Sequence, residues 1–247
     1  MAYSKAYPKV YPKTTEAVEG IAIPQRGITA WYDPSDISTL FQDSAGTTPV
    51  TADGDKVGLI VDKSGNGNNA TQSTDALRPT YKISSGVAWI AFNGTTELMT
   101  IPVATQGAVG SDNSGVFAVH TDAAGNRYVL GTNGDDGLGM FVGNGLIRPF
   151  VETTTGFIFA NGSTNTEDTD IVFSMDWDRS AGVVRGWMNR ALEVNASGTA
   201  NNKLLATTAW LGQGNTASSA YYSGKMYGGA IYDVKLTTGE REATESH

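Results

Sequence analysis

From Ile28 onward, apolar and polar positions alternate in short runs separated by turn residues. Ile171, Phe173 and Met175 fall on one side of a period-two pattern, and Asp170, Val172, Ser174 and Asp176 on the other. Val116, Ala118 and His120 oppose Phe117, Val119 and Thr121 in the same way. That period belongs to extended strands, whose side chains point to opposite faces in turn. The pattern predicts strands at Ile28–Tyr32, Val57–Asp62, Thr80–Ile83, Val87–Phe92, Leu98–Ile101, Val116–Thr121 and Arg127–Gly131. Further strands are predicted at Leu138–Val142, Leu146–Val151, Phe157–Ala160, Asp170–Asp178, Val183–Asn189, Lys203–Leu211 and Lys225–Val234. Between them lie Gly65-Asn66-Gly67-Asn68, Asn93-Gly94, Gly143-Asn144-Gly145 and similar clusters, residues that tolerate the positive φ of hairpin turns. Thr237-Thr238-Gly239-Glu240 reads as a capping box opening one short terminal helix. So many strands with no long helical period predict an all-β protein, a two-sheet antiparallel sandwich.

Residues 1–27 follow another rule. Tyr3-Ser4-Lys5, Tyr7-Pro8-Lys9 and Tyr11-Pro12-Lys13 repeat every four residues. Proline fixes φ and biases its predecessor toward extended geometry, so an extended N-terminal arm is expected. Tyr3, Lys5, Tyr7, Lys9, Tyr11 and Lys13 are its candidate docking residues, with a solvated tail as the alternative. The predicted organisation is therefore an arm, residues 1–27, and a single sandwich, residues 28–247.

Composition narrows the chemistry. The 247 residues include 30 Gly, no Cys and two His, which excludes disulfides, thiolate metal sites and a cysteine nucleophile. Formal net charge is −8, and all 25 acids lie after residue 13 against 14 basic residues. An acidic body disfavours nucleic acid and anionic membranes as partners. No run approaches the 18 or so apolar residues of a membrane span, and the N-terminus lacks the apolar stretch of a signal peptide.

Four motifs together resemble concanavalin A-like lectin/glucanase domains, the laminin-G-like jelly rolls. Trp31-Tyr32-Asp33-Pro34-Ser35-Asp36 is similar to their W-[LY]-D-x-S-D opening. Asp62-Lys63-Ser64-Gly65-Asn66-Gly67-Asn68-Asn69-Ala70-Thr71 resembles their D-x-S-G-N-G-N-x-[GA]-T turn. Arg78-Pro79 and Phe92-Asn93-Gly94 follow in the family's order, and Gly229-Ala230-Ile231-Tyr232-Asp233 with Glu240-Arg241 resembles its last strand and helix. The resemblance covers roughly Gly27 to Glu245 and implies a jelly-roll sandwich. The variant it is most similar to occurs in bacteriophage tail and virion proteins. It implies a virion protein made in the host cytoplasm, displayed on the particle surface and joined to other virion proteins through residues 1–27. A homo-oligomer stays open. This superfold hosts sugar binders, glycanases and structural parts, so fold alone does not choose among them.

Candidate sites follow from residue chemistry. Asp62, Ser64, Asn66 and Asn68 offer hard oxygens at alternate positions, the first half of a calcium loop without its closing Glu. Asp33, Asp36, Asp53 and Asp55 could add ligands only if folding brought them near. The same loop also makes an Asx-turn, the preferred reading. Apart from that calcium, no cofactor is expected. For a sugar, Asp135, Asp136, Gln213, Asn215, Tyr221 and Tyr222 are the candidate contacts, in turn-rich loops with polar and aromatic groups. The five Trp read mostly as core. Glucanases of this fold carry a Glu-x-Asp-x-Glu strand, which the chain lacks; Asp168/Asp170 and Asp176/Asp178 are its nearest pairs. His120 reads as a packed or strand-end residue. The expectation is a non-enzymatic adhesion module for host-surface glycan. A structural decoration or fibre-base protein and a glycan depolymerase are the alternatives.

Overall fold

The computed structural model describes residues 23–122, 126–132, 137–204, 206–214 and 220–246. Its strands are β1 (Ile28–Tyr32), β2 (Leu40–Phe41), β3 (Leu59–Ile60), β4 (Ala70–Thr71), β5 (Thr80–Ser84) and β6 (Val87–Asn93). There follow β7 (Met99–Ile101), β8 (Asn113–Thr121), β9 (Asn126–Thr132), β10 (Gly137–Gly143), β11 (Leu146–Thr153) and β12 (Gly156–Phe159). The last are β13 (Asp170–Asp178), β14 (Val183–Met188), β15 (Ala191–Ser197), β16 (Ala209–Leu211) and β17 (Ser223–Tyr232), then helix α1 (Thr238–Thr244).

They form two antiparallel sheets. Sheet A runs β15-β14-β13-β8-β17-β6-β5, with β1 also paired to β17. Sheet B runs β12-β11-β10-β9-β16-β7-β4-β3-β2. This is the two-sheet sandwich that the alternation predicts. Inward positions of both sheets make the main core, with Phe117, Phe173, Trp177, Met140, Val142 and Val151 all at 0–1% exposure or less. Each such side chain contributes roughly 1.5–3 kcal/mol by leaving water.

A second apolar layer lies on the outside of sheet A. Val116, Ala230 and Tyr232 cluster there with Ile23, Ile28 and Leu236, and Trp31 and Val172 pack against them. The segment leading to β1 and the segment leading to α1 roof this face together. Arg26 donates two bonds to Glu240, at 2.8 and 2.6 Å, and the Asp233 amide donates to the Gly27 carbonyl at 2.8 Å. The described part of the predicted arm, residues 23–27, thus packs on the body; its docking residues Tyr3, Lys5, Tyr7, Lys9, Tyr11 and Lys13 lie outside the described residues. Helix α1 begins with the predicted capping box, as Thr237 accepts from the Glu240 amide while Glu240 accepts from the Thr237 amide.

Several strands differ from the sequence reading, among them Val57–Asp62, which shortens to β3. β15 was not predicted; it is an edge strand that buries only Val194 and Ala196 and leaves Leu192 54% exposed. Asn189 and Arg190, both at positive φ, turn the chain into it from β14. β2 and β4 are two-residue strands, too short to show a period. The predicted strand Lys203–Leu211 shrinks to β16; Lys203 makes only an isolated bridge to Thr153, and its side chain reaches inward to Asn113 and Ser111.

Candidate functional site

The Asp62 loop is an internal clamp. Asp62 Oδ1 accepts from the amides of Trp31 and Ser64, both at 2.8 Å, and Oδ2 accepts from the Ser64 hydroxyl at 2.7 Å and the Asn68 amide at 3.0 Å. Asn66 and Asn68 turn their amide groups to the carbonyls of Ile28 and Thr29 at 2.7 Å. Four donors therefore occupy the carboxylate that a cation would need, and the Asx-turn reading describes Asp62, Ser64, Asn66 and Asn68. Asp33 and Asp36 instead hold Lys63, and Asp53 holds Lys82. Asp55 accepts from the amides of Thr51 and Ala52. No group of three or more His, Cys, Asp or Glu among the described residues is arranged around a metal position.

Three of the six predicted sugar contacts fall within the described residues. Asp135, Asp136 and Asn215 lie outside the described residues. Gln213 is buried and bridges Tyr221, which is half-buried. Tyr222 is a core residue, 1% exposed; its ring meets Phe92 edge-on and its hydroxyl donates to the His120 carbonyl at 2.8 Å. Burial places Tyr222 and Gln213 beyond a ligand's reach.

The acid pairs serve the outside of sheet A. Asp176 faces Arg185 across β13 and β14 at 3.1 Å, and Asp178 accepts from Lys235, Ser180 and the Ala181 amide. Burial pushes the Asp176 carboxyl up to about 6 against the pull of Arg185. The Lys235 ammonium holds Asp178 down at about 2. Both carboxylates are thereby committed to cations that bind the outer strands and the Lys235 segment. His120 lies on the same face at the strand end, its Nδ1 2.9 Å from Asp170 Oδ1, which also accepts from the Tyr227 hydroxyl at 2.7 Å. Trp31, Trp89 and Trp187, the half-buried tryptophans of this face, each carry a cation over the ring: Lys63, Lys225 and Arg241 at 4.6, 5.2 and 4.4 Å. A cleft of about 690 Å³ remains under the roof, floored by Val116, Ala118 and Val172 and walled by Ile23, Tyr227 and Glu245.

The outside of sheet B is different. β10 is apolar or glycine at every position: Leu138, Met140 and Val142 enter the core, while Gly139, Phe141 and Gly143 face outward. Register stacks Tyr128, Phe141 and Arg148 in one row across β9, β10 and β11. Gly139, Phe150 and Phe159 form the next row, and Glu152 and Phe157 the third. Glycine makes room for the rings to lie flat. A Cβ on Gly139 would sit 2.0 Å from the Phe150 ring, and one on Gly143 would sit 2.3 Å from Phe141. Tyr128 meets Phe141 edge-on at 4.7 Å and Phe150 at 6.1 Å. Arg148 lies over Phe141 and Phe159 at 4.9 and 5.5 Å, its Nε donating to Asn161 Oδ1 at 2.6 Å. Phe157 and Phe159, on edge strand β12, stay 48% and 50% exposed.

The result is an aromatic shelf with a hollow of about 190 Å³, lined by Tyr128, Phe141, Arg148, Phe150, Phe157 and Phe159. That is below the roughly 300–1,000 Å³ of drug-sized sites, so it suits one ring of a larger ligand. Apolar ring faces beside a cation and a carboxamide can stack on the C–H face of a sugar and bond its polar groups. The sequence reading placed these strands but did not single out their phenylalanines. The available signal was β10 itself: an uninterrupted apolar run in an antiparallel sheet means an outer face that is not polar.

No family model matches the chain, and no curated protein matches it. Solved structures share its fold. The ligand-binding domain of botulinum neurotoxin serotype D, in complex with N-acetylneuraminic acid, aligns at TM-score 0.63 and 9% identity, over 92% of this chain and 52% of that one. A Trypanosoma rangeli sialidase aligns at 0.60 and 14%, over 91% of this chain and 33% of that one. Domain 4 of AbnA, a GH43 extracellular arabinanase from Geobacillus stearothermophilus, in complex with arabinotriose, aligns at 0.58 and 13%, over 88% and 98%. The chain thus spans about a third of the sialidase, half of the neurotoxin domain and nearly all of the arabinanase domain. At these identities the likeness shows a common β-sandwich fold.

Proposed function

We propose that this sandwich is a glycan-binding module that holds its ligand without turnover, and that the aromatic shelf of sheet B is the contact surface. The observation that carries the reading is the pair Phe157 and Phe159, half-exposed over a floor of Phe141 and Phe150. Contiguous exposed apolar surface mostly marks a binding site. Fold neighbours solved with N-acetylneuraminic acid and with arabinotriose support a saccharide as ligand. Turnover is left out because Asp176 and Asp178 are engaged with Arg185 and Lys235. The Tyr/Pro/Lys steps of residues 1–27, and the resemblance to virion modules, support a setting on a phage particle, with the arm docking on other virion proteins and the shelf meeting host-surface glycan.

The test is binding of the protein to a broad glycan panel, beside a Phe157→Ala/Phe159→Ala variant. Saturable, competed binding is expected, weakened roughly thirtyfold in the variant, about 2 kcal/mol for two aromatic contacts, with an unchanged melting temperature. Silence across the panel from folded protein, or binding indifferent to the double substitution, overturns the reading. Silence would favour the structural decoration protein instead.

A further inference from the structure

Arg148 gives the shelf a polarity. Arg26, Arg78, Arg185, Arg190 and Arg241 each have a carboxylate within 4 Å. Arg148 forms no such ion pair among the described residues, in a chain with 25 acids against 17 bases. Its described contacts are the two phenyl rings and the carboxamide of Asn161. The Asn161 bond engages Nε and leaves the terminal nitrogens of the guanidinium, a planar fork that matches an anion's paired oxygens. The shelf's own acid, Glu152, lies two same-face positions along β11, about 13 Å at strand rise. A cation with no acidic partner among the described residues, set on an aromatic shelf of an acidic protein, favours a negatively charged ligand.

We propose that the shelf binds an anionic sugar, with the Arg148 guanidinium taking the ligand's carboxylate or sulfate while its ring stacks against Phe159. This rests on the shelf being the glycan site and names the ligand class within it. Charge-assisted bonds exceed neutral ones, and the rings of Phe141 and Phe159 beside the guanidinium fix where its fork is presented.

Matched ligand pairs test it: sialyllactose against lactose, tetragalacturonic acid against its methyl ester, and a sulfated galactoside against the unsulfated one. Each is titrated into wild type, Arg148→Gln and Phe157→Ala/Phe159→Ala at 20 and 500 mM salt. At least one acidic member should bind roughly tenfold or more tighter than its neutral partner at low salt. High salt should narrow that gap, and Arg148→Gln should close it to about twofold. The carboxylate and sulfate arms identify which anion is taken. Equal affinity for acidic and neutral members, with both lost in the double Phe variant, overturns the anionic preference and keeps the shelf. An acidic preference that survives Arg148→Gln overturns the role of Arg148. Binding of no member, or binding unaffected in the double Phe variant, overturns the shelf itself.

Discussion

The two outer faces of the sandwich begin with the same problem and end differently. Each is apolar where an ordinary antiparallel sheet is polar: sheet A at Val116, Val172, Ala230 and Tyr232, sheet B at Phe141, Phe150, Phe157 and Phe159. On sheet A the chain covers the surface with Ile23 and Leu236, closes the margins with ion pairs, and sets a cation on each half-buried tryptophan. On sheet B the described residues leave two phenylalanines about half exposed. Burial on the first face returns its free energy to the fold. Exposure on the second leaves the same free energy to be gained by a ligand. Apolar content alone therefore does not mark a candidate surface; apolar content that the described residues leave uncovered does.

Substitutions on the two faces should separate stability from binding. The largest effect is expected from Asp62→Ala, which strips partners from the amides of Trp31, Ser64 and Asn68 and loosens β1 beneath the roof. It should cost about 3 kcal/mol in denaturant unfolding and leave glycan affinity unchanged; a loss of affinity in the folded variant would erase the distinction. Gly139→Ala should come next, at about 2 kcal/mol, because its methyl group would meet the Phe150 ring at 2.0 Å and tilt the floor of the shelf. That variant alone should lose stability and binding together, and unaltered binding would show that the floor does not shape the site.

Asp176→Asn has a smaller, pH-dependent effect. The folded carboxyl, raised to about 6 from its ordinary 3.8, holds its proton over a range where the unfolded one has released it. This group's contribution to stability is therefore present below pH 4 and lost as pH rises toward 6. Relative to wild type, the variant should gain about 1–2 kcal/mol between pH 4 and pH 7; parallel pH profiles would refute this. The smallest effect is expected from calcium or EDTA, with melting unchanged within about a degree. A bound ion would stabilise by mass action, so a calcium-dependent rise would reopen the Asp62 loop as a cation site.

The fold was legible where one face of a strand is apolar and the other polar. β1 and β13 fall on the boundaries that alternation predicts, and Thr237 with Glu240 marks the start of α1 because a capping box is a local signal. β15 escaped because an edge strand needs only two inward residues, and its exposed side is unconstrained. The site was harder to read for a different reason. Tyr222 looks like an exposed loop aromatic until long-range pairing puts it beneath β6 and β8. Phe157 opens a predicted strand, and only the topology shows that strand to be the last of sheet B. Which face of a strand is covered depends on residues far away in sequence: Ile23 and Leu236 cluster on Val116 of β8, each about 100 positions away. Local pattern carries the strand, and only topology carries its surroundings.

The clasp between Arg26 and Glu240 has a consequence for presentation. It sets Ile23 and Glu245, near the two ends of the described chain, on the walls of one cleft on sheet A, while the shelf looks out from sheet B on the far side of the core. A support joined at either end would hold the sandwich like a pendant with its contact face turned away. Many such pendants on one support would show their hollows in the same direction. Individually weak contacts, each worth one sugar ring, would then add through avidity without any change in the single site.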